Sequence, residues 1–359
     1  MPRKKLKRVL VVNPYGIGDV LFTTPLLSNL RRVYPDVFLA VLLGSRTKEV
    51  LDNNSDVNKI YVFDKGKFDS LRRVKAFRIL YDLIKELRKE HFDLLIDLSN
   101  SSQYGFIEKF LLRIPRRVGF DYRKRGRFLT DRIELKGYRE RHVAEHYLDL
   151  IRHLGISVWP EKLKFPVNAA ALNWAKSFLK GRGVKPDDLL IGVVPGGGSS
   201  WAKDAAYKRW PAEKFSGIAD KLIDELRAKV IIMGDSSENE LCREVAGLMR
   251  NKAFSACGET TLPEFAALCG LSRLIICNDG GPLHVAVSRG VPTVSLFGPV
   301  DERIYGPYPD EAKNCVVKKN LNCRPCYNDF RFKACPGKDC LRLIGVDEVY
   351  EKVKLALER

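Results

Sequence analysis

The chain has 359 residues, 45% of them hydrophobic, which is enough for two domains with separate cores; no apolar run approaches the ~20 residues that cross a bilayer. Pro2 to Arg8 is a basic start followed only by Val9 to Val12 before polar residues return, so neither a secreted nor a membrane-spanning protein is expected. The formal net charge is +18, of which residues 1–180 carry +16 (36 Lys and Arg against 20 Asp and Glu) and residues 181–359 carry +2 (26 against 24). Within the first half, residues 113–141 hold 11 basic and 4 acidic side chains, including Arg116, Arg117, Arg123, Lys124, Arg125 and Arg127. Such a field attracts nucleic acid, an anionic membrane surface or a phosphorylated glycolipid, and charge does not choose among them. The plainer alternative is a solvated surface that aids solubility.

Strand-like runs at Arg8–Asn13, Val37–Leu43, Lys59–Phe63, Phe92–Asp97 and Arg117–Gly119 alternate with helical patterns, the longest being Ser70–Glu90. In that helix Leu71, Val74, Phe77, Leu80, Ile84 and Leu87 recur at helical spacing among Arg and Lys. It suits either an anionic membrane surface or, more commonly, core packing with a charged outer face. After an expected interdomain segment around Glu161–Ala170 the alternation repeats. Runs at Leu190–Val194, Lys229–Met233, Ala253–Ala256, Arg273–Cys277 and Thr293–Phe297 are interleaved with helices near Pro211–Leu226, Glu238–Met249, Pro263–Gly270 and Pro282–Arg289. The class is therefore α/β: two Rossmann-like, doubly wound domains, residues 1–165 and 166–359, facing each other with ligand at the carboxyl ends of their strands.

Two strand-to-helix turns stand out. Asn278-Asp279-Gly280-Gly281-Pro282-Leu283-His284 follows an apolar run and opens a helical pattern, so its backbone N–H groups suit a diphosphate, with His284 one turn in as a further donor. A tight turn with a helix-capping Asp279 explains the same string. Earlier, Gly16-Ile17-Gly18-Asp19 follows the first strand, but a carboxylate stands where a pyrophosphate would bind. No acid follows the second strand at the spacing of a ribose contact, because Gly44-Ser45-Arg46 is found there, so NAD binding is disfavoured. Asp19 is instead placed to accept a proton from a substrate hydroxyl, or simply to cap its helix.

Gly16-Ile17-Gly18-Asp19-Val20-Leu21, Pro195-Gly196-Gly197-Gly198-Ser199-Ser200, Lys208-Arg209-Trp210-Pro211, Asp279-Gly280-Gly281-Pro282-Leu283-His284 and Leu296-Phe297-Gly298-Pro299 occur in the order of glycosyltransferase family 9, the ADP-heptose:lipopolysaccharide heptosyltransferases, which the chain resembles over nearly its whole length. The resemblance implies a GT-B fold, a nucleotide-sugar donor held mainly by the C-terminal domain, and an inverting transfer that needs no metal. It makes Asp19 the catalytic base. Lys208 would neutralise the diphosphate, with Ser199 and Ser200 donating to the same oxygens. Asp279 would contact the donor sugar, and Gly280, Gly281 and His284 would surround the phosphates. Gly280 stands where several members carry a hydroxyl residue. Asp235 and Glu238 are candidates for the ribose, and Thr260, Thr261 and Leu262 for the adenine. For Lys208 the alternative is an ordinary exposed lysine before a helix. The implied partners are ADP-heptose and, gripped by Arg123, Lys124 and Arg125, the lipid A and inner-core part of lipopolysaccharide. The implied location is the cytoplasmic face of the inner membrane. Another core sugar or a protein hydroxyl is the alternative acceptor. A basic nucleic-acid-binding protein is the rival of another class, disfavoured by the absence of any nucleic-acid module.

Of nine cysteines, Cys242, Cys257, Cys269, Cys277 and Cys315 lie in apolar patterns and read as buried reduced thiols. Cys323, Cys326, Cys335 and Cys340 are clustered in a loop punctuated by Pro and Gly, which suits a structural Zn or Fe in a reducing compartment, or four free thiols. Such a metal would stiffen the loop and take no part in the chemistry.

Overall fold

The computed structural model describes residues 6–64, 73–197, 199–333, 335 and 337–359, with the backbone alone at 73, 74, 76 and 199–203. The chain divides into two compact units, Met1–Lys162 and Leu163–Arg359, against an expected boundary after residue 165. Each unit is built on a six-stranded sheet in which every pairing is parallel.

In the first unit the strands are β1 (Arg8–Asn13), β2 (Phe38–Leu43), β3 (Lys59–Val62), β4 (Leu94–Asp97), β5 (Arg116–Tyr122) and β6 (Asp131–Leu135), in the spatial order β3-β2-β1-β4-β5-β6. The continuous apolar runs of β1 and β2 follow from burial on both faces, which a parallel sheet covered by helices requires. The order reverses between β1 and β4, so the turns after these two strands flank the crevice where such sheets hold ligands. One face carries a core of Leu10, Val12, Ala40, Leu42, Leu87 and Leu95, against which Leu83 and Ile84 of one helix and Tyr104 and Ile107 of a later segment also pack.

The second unit contains β7 (Leu190–Val194), β8 (Lys229–Ile232), β9 (Phe254–Ser255), β10 (Leu274–Asn278), β11 (Thr293–Phe297) and β12 (Asn314–Lys318), in the order β12-β11-β10-β7-β8-β9. Here the reversal falls between β7 and β10, which brings the Gly196-Gly197 turn beside the Asp279-Gly280 turn. A short antiparallel hairpin, β13 (Tyr327–Asn328) with β14 (Arg331–Phe332), lies within the cysteine-rich loop.

The expected helix at Ser70–Glu90 spans Arg73–Lys89 in the structure, while Leu71 and Arg72 lie outside the described residues. Its carboxyl-terminal part packs inward at Leu87, but Phe77 and Tyr81 are 70% and 63% exposed. The core-packing expectation therefore fails at Phe77, whereas Leu80 is half-buried and the side chain of Val74 lies outside the described residues.

Candidate active site

In the first unit the helix Ile17–Val33 begins directly after the β1 turn, with Gly16 as its N-cap and Asp19 three residues in. The Asp19 Oδ2 accepts the Gly16 N–H at 3.3 Å, so a carboxylate at this spacing does serve the helix start. The turn is locked from beneath by Asn13, fully buried, whose Nδ2 donates to the Asp19 carbonyl at 3.0 Å and to Thr23 Oγ1 at 2.7 Å, while its Oδ1 accepts the Tyr15 N–H at 3.2 Å. The Tyr15 ring is exposed on one side, but its hydroxyl turns in to donate to the Ser99 carbonyl and thereby joins the turns after β1 and β4. Burial of that hydroxyl, with Tyr138, Asp19 and Asp97 nearby, pushes its pKa well up, while Arg125 pulls it down. Burial likewise raises the Asp97 carboxyl to about 6 against the pull of its hydrogen bonds from Ser99, one of them the Ser99 N–H at 2.7 Å. The crevice thus combines a half-exposed carboxylate, aromatic hydroxyls and, within electrostatic reach, one residue of the basic turn. That turn, Arg123 to Arg125, is exposed, and Arg123 and Lys124 both take left-handed backbone conformations (φ 52° and 60°).

In the second unit the glycines explain the packing of the two turns. A Cβ on Gly280 (φ +153°) would sit 2.2 Å from the Gly197 carbonyl oxygen, and one on Gly196 would sit 1.9 Å from Glu238 Oε1. Glycine at 280 lets the backbones of the two turns meet, and glycine at 196 leaves room for the buried Glu238 carboxylate. Gly280 is the N-cap of the helix Gly281–Ser288, so Asp279 does not cap it. The Asp279 Oδ2 instead lies 2.5 Å from Lys208 Nζ, with both side chains buried. The picture of Lys208 as an ordinary exposed lysine is overturned, and Pro211 proves to be the N-cap of the helix Ala212–Leu226 rather than part of its first turn. His284 is also buried, in the first turn of its helix. Gly198 and the side chains of Ser199 and Ser200 lie outside the described residues.

Glu238 is buried, accepts the Gly197 N–H at 3.0 Å and the Asp235 N–H at 3.2 Å, and faces Arg209 Nη2 at 3.7 Å. Asp235 accepts the Ser237 N–H at 2.8 Å, and together the two acids close a capping box over the short 3₁₀ turn Ser236–Glu238. Thr261 caps the helix Leu262–Leu271, exchanging hydrogen bonds with Glu264, while Thr260 and Leu262 beside it are half-buried.

One residue of this site was missed from the sequence. Asn278, fully buried at the end of β10, donates through Nδ2 to the carbonyls of Pro195 (2.8 Å) and Gly196 (2.7 Å) and accepts the Trp210 N–H at 3.0 Å. It ties three segments together: the glycine turn, the Lys208-bearing loop and the Asp279 turn. A polar residue ending an otherwise apolar buried strand is the signal that could have found it. Asn278→Ala should strand two carbonyls and one N–H, lowering stability by roughly 2–4 kcal/mol. Urea unfolding measures this, and a midpoint equal to wild type would remove Asn278 from this role.

The four clustered cysteines run from exposed Cys323 through half-buried Cys326 and Cys335 to buried Cys340. The Cys326 Sγ donates to the Cys323 carbonyl at 3.0 Å. Burial pushes the thiols of Cys326 and Cys340 up, and the neighbouring sulfurs add to the effect, so the four share one small region. Among the described residues no group of three or more His, Cys, Asp or Glu is gathered as an ion would need.

A pair of parallel α/β units, each with its ligand crevice at the reversal of strand order, is the architecture of GT-B glycosyltransferases. The sequence profile of glycosyltransferase family 9 (heptosyltransferase) matches residues 80–333. Lipopolysaccharide heptosyltransferase 3 of Escherichia coli is 27% identical over 298 residues, covering 81% of this chain and 83% of that protein. A family 9 glycosyl transferase from Veillonella parvula superposes with a TM-score of 0.84 at 25% identity, over 99% of both chains. An E. coli structure described as ADP-heptose lps heptosyltransferase II shares the fold at a TM-score of 0.75 and 22% identity, over 98% of both chains. The chain belongs to glycosyltransferase family 9 and is a glycosyltransferase.

Proposed function

We propose that the enzyme transfers heptose from ADP-heptose, with inversion, to a hydroxyl of the lipid A and inner-core region of lipopolysaccharide. The observation that carries this reading is the buried Lys208–Asp279 pair set against two interlocked glycine turns at the β7/β10 switch point. A helix N-terminus and an ammonium group converge there, as a departing diphosphate requires. The heptose rests on the family and on the names of relatives, one of which is described as an ADP-heptose enzyme.

In this mechanism the acceptor oxygen attacks the anomeric carbon from the face opposite ADP, the bond from that carbon to the phosphate oxygen breaks, and Asp19 takes the acceptor proton. Lys208 shifts from Asp279 toward the diphosphate as charge develops on it, which frees Asp279 for the sugar hydroxyls. The N–H groups of Gly280 and Gly281, with His284 and, through their hydroxyls, Ser199 and Ser200, complete the phosphate contacts. Glu238 and Asp235 meet the ribose, and Thr260 and Leu262 the adenine. Arg123, Lys124 and Arg125 attract the phosphorylated acceptor at the cytoplasmic membrane surface; among the described residues no helix is long and apolar enough to cross a membrane. No step of this mechanism calls on a metal, so transfer should survive EDTA.

A thermal-shift screen of nucleotide sugars followed by a transfer assay tests the reading. ADP-heptose at about 100 times its Kd should stabilise the protein by roughly 2.7 kcal/mol. Stabilisation by a uridine or guanosine sugar in its place would overturn the donor assignment, and transfer to a protein hydroxyl alone would overturn the acceptor.

A further inference from the structure

The first unit carries an apolar surface that the transfer mechanism does not use. Phe106 and Phe110, 48% and 47% exposed, stand on the helical segment Ser102–Leu111. With Phe128, from the far side of the basic turn, they form a trio of rings with centroids 4.9, 5.8 and 5.7 Å apart. Gly105 permits the approach, since a Cβ there would lie 3.2 Å from the Phe128 Cβ. Lys109 lies over the Phe110 and Phe128 rings and Arg127 over that of Phe128, while Arg113, Arg123, Lys124 and Arg125 follow close by in the same two chain segments; all six are exposed and none is in an ion pair among the described residues. The exposed Phe77 and Tyr81 stand on a helix whose Leu83 and Ile84 pack on the same face of the sheet as Tyr104 and Ile107 of the trio's own segment. Two aromatic patches therefore share one flank of the unit.

We propose that this flank is a membrane-docking face, with Phe106 and Phe110 entering the headgroup and acyl boundary of an anionic bilayer while the six cations meet its phosphates. The inference rests on the acceptor reading above only in where the enzyme works; its argument is charge and shape. Cations without an ion pair among the described residues, set beside hydrocarbon rings, match an anionic interface, and an exposed apolar cluster is costly in water. A second copy of the chain is disfavoured because it would bring like-charged rims together. A nucleic acid is disfavoured because Lys109 already covers the faces of Phe110 and Phe128, and Arg127 that of Phe128, where a base would stack.

Flotation of the full chain with phosphatidylcholine vesicles, with and without phosphatidylglycerol, tests the proposal. Wild type should float with the anionic vesicles only. Phe106→Ser with Phe110→Ser should lower partitioning by about tenfold with ADP affinity unchanged, and Phe77→Ser with Tyr81→Ser by a smaller factor. Each reversal among Arg123, Lys124 and Arg125 should cost at least about fivefold. Phenylalanine variants that float like wild type would overturn insertion. So would an RNA oligonucleotide, or a dimer seen by sedimentation, that takes the wild type in place of vesicles and is lost in the same variants. Calorimetry with ADP separates this from the enzymatic reading. A chain that floats but ignores ADP keeps the docking face and loses the donor assignment, whereas one that binds ADP and transfers sugar without floating loses the docking face alone.

Discussion

Asp19→Asn is expected to lower turnover by roughly 10²- to 10⁴-fold while leaving ADP affinity unchanged. The substitution is informative because it separates the proposed base from the observed contact at the helix start. The Asp19 Oδ2 faces the Gly16 N–H, and its backbone carbonyl is held by Asn13 Nδ2 and Thr23 Oγ1. An asparagine oxygen keeps the first contact and the backbone keeps the second, so the helix start should survive. What the amide cannot do is take a proton from an acceptor hydroxyl at neutral pH. If the carboxylate served only the helix, the variant would turn over normally with an unchanged melting temperature. Steady-state kinetics with both substrates saturating, beside calorimetry for ADP, would tell the two roles apart, and near-normal turnover would sink the base assignment.

Lys208→Ala should be the most damaging single change in the second unit. It leaves Asp279 buried without its partner, and removing one member of a buried ion pair costs about 3–5 kcal/mol. ADP affinity should fall as well, by about tenfold or more, because the ammonium group proposed to neutralise the diphosphate is gone. Loss of fold and loss of ligand contact can be parted with the double variant Lys208→Met, Asp279→Leu. An apolar pair of similar volume should recover most of the stability, since neither charge remains uncompensated, yet ADP should still bind poorly. Recovery of both stability and ADP affinity in the double variant would mean that Lys208 serves the fold and not the donor.

How far this could be read beforehand depended on the kind of interaction. β1, β7 and β11 lie at the expected residues because buried parallel strands must be continuously apolar, and that pattern is local. The edge strands β6 and β12 were missed. β6 reads Asp-Arg-Ile-Glu-Leu, with alternate side chains in solvent, and both strands lie at a sheet edge where charge is tolerated. Motif order led to Asp19, Lys208 and Asp279, but the 2.5 Å pairing of the last two spans 71 positions, and no local pattern encodes it. The same holds for Asn278, whose amide reaches the Gly196 carbonyl 82 positions away. The alternative of Asp279 as the helix cap fails because the N-cap is Gly280, one residue further on, and the Asp279 carboxylate pairs with Lys208 instead.

The contact between Gly280 and the Gly197 carbonyl also bears on how this sequence can vary. Any side chain at position 280 would press a Cβ into that oxygen 2.2 Å away. Serine at 280 is therefore not a lost function waiting to be restored. It becomes admissible only with a rearranged backbone at 197, so the two positions, 83 apart in the chain, should change together across a lineage or not at all. Grafting one turn from a relative should fail where exchanging both as a unit succeeds.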